Sequence, residues 1–127
     1  MPAPNLANTV AIFGKSNVAL LTTTSTTFIN NPPNSGKTFK INTIMVSNVD
    51  LANHANVTVG IVKFGAQNTS TGTGNTYYNM IYNVVVPSKS SLDILGKTLY
   101  LEEGDHLKAN ADAANRLQLV ASFEEIN

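Results

Sequence analysis

The chain has 127 residues, 43% of them hydrophobic, which fits one domain around a single core and excludes wholesale disorder. Charged residues make up only 13% and the formal net charge is zero, which argues against the basic excess that phosphate-backbone binding needs and suits a surface buried against partners. There is no cysteine, so disulfides and thiolate metal sites are excluded.

Residues 1–16 read as an extended N-terminal arm. Pro2 and Pro4 stiffen the backbone, and "VAIF" at 10–13 is apolar but too short to fold alone. Val10, Ile12 and Phe13 are the arm's candidate assembly residues, because an extended apolar arm on a small domain docks on a neighbour. The N-terminus has no basic start followed by a long apolar run, so it does not read as a signal peptide. No stretch approaches the roughly 20 apolar residues of a membrane span.

Residues 17–127 read as a succession of short strands. "NVALLTTT" (17–24) and "TTFIN" (26–30) are rich in β-formers, and "NNPPNSGK" (30–37) is a turn. "TFKINTIMVSNV" (38–49) is a strand whose apolar phase slips between Phe39/Ile41 and Ile44/Val46, which predicts a β-bulge near Asn42–Thr43. "VTVGIVKF" (57–64) alternates as a half-buried strand, and the polar stretch 65–75 is a loop. "TYYNMIYNVVVP" (76–87) is a strand stopped by Pro87. "SLDIL" (91–95), "KTLYLEE" (97–103), "DHLKANA" (105–111) and "NRLQLVASFEEI" (115–126) complete the set. No segment keeps a 3.6-residue period. The expected fold is an all-β antiparallel sandwich, jelly-roll or immunoglobulin-like, of about eight strands.

Three stretches invite a chemical reading. Glu102, Glu103, Asp105 and His106 surround Gly104 and could hold a cation or run acid–base chemistry. Adjacent strand residues point to opposite faces, however, so a hairpin tip bent at Gly104 explains the stretch without a ligand. The spacing matches no EF-hand loop. His54 and His106 have neither a nucleophile nor a further histidine at a useful spacing. "NPPNSGKT" (31–38) imitates a phosphate-binding loop, but Asn31 stands where that loop needs glycine and two prolines interrupt it. Tyr78 and Tyr82 share a strand phase and could form a glycan-stacking platform; half-buried strand aromatics are the alternative. No catalytic residue, metal ligand or cofactor is assigned.

The stretches "MPAPNLANTVAIFGKSNV" (1–18), "GKTFKINTIMVSNVD" (36–50), "VPSKSSLDIL" (86–95), "LYLEEGDHLKANA" (99–111) and "VASFEEI" (120–126) together resemble small virion structural proteins of tailed phages, especially marine and cyanobacterial ones. The resemblance covers most of the chain. It implies a non-enzymatic bacteriophage virion component, with the Glu-Gly-Asp element as a turn. The role it implies is capsid decoration or cementing through the arm and one sandwich edge. Partners would be the major capsid protein or other virion proteins and further copies of the chain, a trimeric homo-oligomer being favoured. Direct nucleic-acid or membrane contact is not expected. The alternatives are a neck, collar or tail-fibre component, or a host-glycan-binding module.

Overall fold

The computed structural model describes residues 11–64 and 76–127. Nine strands run β1 (Ile12–Leu20), β2 (Thr26–Asn30), β3 (Thr38–Asn48), β4 (Ala55–Lys63), β5 (Thr76–Val86), β6 (Ser91–Asp93), β7 (Leu99–Leu101), β8 (His106–Ala111) and β9 (Leu117–Ile126). One sheet has the order β1-β9-β3-β6, with β7 also on β3; the other has the order β2-β8-β4-β5. All pairings are antiparallel.

β6 lies against Met45–Ser47 of β3 and β7 against Phe39–Ile41, so they are two halves of one interrupted strand. Counted as one, they give eight strands in the orders 1-8-3-6 and 2-7-4-5. That order is a jelly roll and settles the choice left open between jelly roll and immunoglobulin-like sandwich.

The slip in β3 is a bulge. Ile41 pairs with Phe123 but Thr43 pairs with Ser122, so Asn42 is the extra residue. It keeps Phe39 and Ile41 before it, and Ile44 and Val46 after it, all pointing inward and buried. These residues join Ile29, Val57, Val59, Leu101, Leu107, Leu117 and Leu119 between the sheets. Phe39 and Phe123 pack tilted, with ring centroids 5.3 Å apart. Burying each such side chain contributes about 1.5–3 kcal/mol.

Asparagine serves the loops and the β5 irregularity as its abundance suggests. Asn34, Asn83 and Asn115 take positive φ, as does Lys89. Asn31 is fully buried, donating to the carbonyls of Lys37 and Leu101 and accepting from Ser35 Oγ, which closes the 31–37 turn. Asn48 does the same for its loop, donating to the Asn53 and Val86 carbonyls and accepting from Asp50 N–H.

The boundary of the sandwich differs from the sequence reading. β1 begins at Ile12 and pairs with β9 along its whole length, so residues 12–16 belong to the sheet rather than to the arm. Short, weakly apolar segments such as "IFGKS" gain strand pairing only from a partner distant in sequence, here Ser122–Ile126. Val10 lies outside the described residues.

Candidate functional site

The acidic tip is a structural turn. Gly104 takes φ of 90°, and a Cβ there would sit 2.5 Å from Phe64 Cγ, so glycine is required twice over. Asp105 is 1% exposed. Its Oδ1 accepts from Phe64 N–H at 3.0 Å, and its Oδ2 accepts from Glu102 N–H at 3.0 Å and Lys63 Nζ at 2.7 Å. Lys63 also pairs with Glu102 at 3.2 Å. Burial alone would lower the Lys63 pKa, but its bonds to Asp105 and Glu102 outweigh that and raise it. Glu103 accepts from Gly36 N–H, and the backbones of Asn31, Gly104 and Asp105 bond to each other. The tip therefore locks three segments together at one end of the sandwich: 31–36, 63–64 and 102–105.

His106 leaves this cluster, standing beside Val62 on the outer face of the second sheet. His54 is met only through its carbonyl, which accepts from Arg116. Among the described residues, no three His, Asp or Glu side chains come together as a metal-ligating group. The phosphate-loop imitation is likewise occupied, because Lys37 binds Glu125. Glu125 is buried, pairs also with Lys15 at 2.6 Å, and has its pKa held down by its bonds to Lys15 and Lys37.

A concavity of about 740 Å³ lies on the outer face of the β2-β8-β4-β5 sheet. Register builds it in rows. His106, Val62 and Tyr77 stand abreast; Lys108, Gly60 and Asn79 form the next row; Asn110 and Thr58 form the third. Tyr82 and Asn83 flank the third row. Gly60 leaves a depression that the Tyr77 ring crosses; a Cβ at Gly60 would clash with Tyr77 Cζ. Burial raises the Tyr77 pKa.

The structure brings Tyr77, not Tyr78, together with Tyr82. β5 carries two register shifts against β4, between Val57 and Val59 and between Val59 and Gly60. Strict alternation thus fails after Asn79, and Tyr78 stands beside Ile61 on the opposite phase. The signal was present in "NMIYN": consecutive apolar Met80 and Ile81 break alternation as Asn42–Thr43 does in β3, and Asn83 takes positive φ. Asn83 N–H donates to Thr58 Oγ1 at 2.9 Å, which fixes the bulge.

The other sheet offers a different surface. Val18, Val120 and Met45 form one outward row, with Leu20 beside it on β1. Val18 is 76% exposed and Leu20 51%. Ile12 and Phe13 are also exposed at the start of the strand. β1 is a sheet edge of nine residues whose pairing with β9 shows no register shift. The other edges are blunter: β2 is five residues long with a shift, β5 has two shifts, and the β6/β7 edge is interrupted.

No protein-family model matches the chain, and no curated protein does. Solved structures show the following similarities. A chain of the IBDV viral particle, an icosahedral virus, aligns over 99% of this chain and 35% of its own length, with a TM-score of 0.54 and 9% identity. The chain therefore spans about a third of that viral protein. A subunit of the disulfide-linked pili of Bacillus endospore appendages aligns over 98% of this chain and 95% of its own, with a TM-score of 0.43 and 13% identity. The β-sandwich is thus shared with a protein of an icosahedral viral particle.

Proposed function

We propose that this chain is a non-enzymatic structural protein of a tailed-phage virion, acting as a capsid decoration or cement subunit. The observation that carries the reading is the β1 edge. A long, regular sheet edge with exposed apolar side chains near its ends is a template for another chain's strand, and proteins that stay monomeric blunt such edges. Here the three other edges are short, bulged or broken, while β1 presents Ile12, Phe13, Val18 and Leu20 along an unshifted strand. The fold shared with an icosahedral particle protein fits this role.

Mechanically, a strand added to β1 would extend the first sheet by main-chain hydrogen bonds, and the Val18–Val120–Met45 row would cover a partner's apolar surface. The partner is the major capsid protein or a further copy of this chain, repeated by the symmetry of the shell. Each copy adds a modest interface, and the sum resists outward pressure from packaged genome. The glutamates and aspartate of the tip take no part in chemistry; they hold the turn.

The test is co-sedimentation of the full chain with capsids that lack it. Val18→Lys combined with Leu20→Lys places two charges on the exposed edge and is expected to abolish attachment while leaving the melting temperature unchanged. Attachment retained by the folded double variant would remove β1 as the docking edge.

A further inference from the structure

The outer groove of the β2-β8-β4-β5 sheet is separate from the β1 edge, and the assembly role does not use it. We propose that it binds an acidic saccharide. The proposal is independent of the virion reading and stands on three observations.

The groove is built rather than incidental. Gly60 in the middle of β4 removes a side chain from the centre of the outer face, and the Tyr77 ring lies across the gap. A glycine inside a strand marks a close approach, and here it lets the Tyr77 ring approach the β4 backbone. Tyr82 is 72% exposed at the other end, held there by the β5 bulge and the Asn83–Thr58 bond. A nearly uncovered tyrosine gains little from folding in that position, and its face is free to stack on the apolar face of a pyranose.

The polar lining suits hydroxyl groups. Asn79, Asn83 and Asn110 each bring an amide that can donate and accept at once, and Ser25 and Thr58 add hydroxyls. Mixed aromatic and amide lining of this kind matches a polyhydroxylated ligand better than a hydrocarbon, which would want an enclosed apolar pocket.

The charge selects the class. The basic side chains of the lining are Lys108 and His106, and no Asp or Glu stands among the lining residues. On a chain with zero net charge, that is a local bias toward an anionic group. Lys108 lies in the middle row, beside Gly60 and within the stretch between Tyr77 and Tyr82. A uronic-acid carboxylate there would meet the ammonium while the ring stacks on tyrosine. Among the lining residues there is no pair of carboxyl groups of the kind that flanks the bond in most glycoside hydrolases.

The experiment titrates the full chain with tri-galacturonate, using maltotriose as the neutral reference, by saturation-transfer NMR and calorimetry. Tri-galacturonate is expected to bind weakly, with a Kd of ~1 mM. Tyr82→Ala is expected to weaken it about tenfold, as for loss of an exposed aromatic anchor. Lys108→Gln is expected to remove the preference for the acidic sugar and its salt dependence. Tyr78→Ala, on the opposite phase, is expected to bind as the parent chain does. Circular dichroism confirms that each variant is folded. Absence of saturation transfer at ~10 mM tri-galacturonate overturns the proposal. Equal binding of maltotriose overturns its acidic assignment, and unchanged binding by both Tyr82→Ala and Lys108→Gln overturns its location.

Discussion

Replacing Asp105 by Asn keeps the shape of the side chain and removes its charge. The carboxylate accepts three bonds, from Phe64 N–H on one oxygen and from Glu102 N–H and Lys63 Nζ on the other. The amide of Asn has one acceptor oxygen and one NH2 group. In one orientation the NH2 faces the Phe64 N–H; in the other it faces both Glu102 N–H and the ammonium. Either way donor meets donor at a residue that is 1% exposed. Each hydrogen bond to a charged group contributes about 1.5–3 kcal/mol. The Lys63 side chain is 36% exposed, so its share is discounted toward the surface value of under about 1 kcal/mol. The expected loss is about 3 kcal/mol, which for a chain of this size lowers Tm by roughly 10–15 °C. The assay is thermal unfolding by circular dichroism, with Glu103→Gln as the control. Glu103 accepts a single bond at the surface and is expected to shift Tm by no more than about 2 °C. A fall of less than about 3 °C in Asp105→Asn would refute the turn-lock and leave the acidic tip free for another role.

Gly104→Ala is expected to cost about 2 kcal/mol or more, because φ of 90° and the Phe64 ring both oppose a Cβ, whereas Gly14→Ala meets open space and is expected to be near neutral; chemical denaturation distinguishes the two. Glu125 has a folded pKa held below its ordinary 4.5 by Lys15 and Lys37, so its stabilising contribution is full above about pH 4.5 and is lost as pH falls through the lower folded value. Glu125→Gln is expected to flatten this acid limb of Tm against pH, and an unchanged limb would count against the ion-pair triad. Millimolar calcium or zinc is expected to leave Tm unmoved; a rise of several degrees would show a cation bound to the folded state.

Much of the fold was legible because burial imposes period two. The alternation in 57–62 and 117–123 names the inward residues directly, and its failure after Ile41 marks the β3 bulge. The same failure in 79–84 is harder to see, because apolar residues continue on both sides of it, and strict alternation therefore pairs Tyr78 rather than Tyr77 with Tyr82. The tip was legible as a turn, since Gly104 with flanking alternation needs no ligand. What sequence could not give was partnership across distance. Lys63 meets Asp105, Lys37 meets Glu125, and Ile12–Ser16 gain strand pairing from the far end of the chain. These contacts depend on strand order, which local pattern does not encode. The jelly-roll order depends on β6 and β7 sharing β3.

If this chain is a repeated part of a virion shell, its copy number in purified particles will show it. Quantitative mass spectrometry against the major capsid protein is expected to give a ratio near one copy per capsid subunit or per symmetry-related site. A handful of copies per particle would move the chain to a neck or tail position and contradict the decoration role. Its absence from purified virions would contradict the structural reading itself.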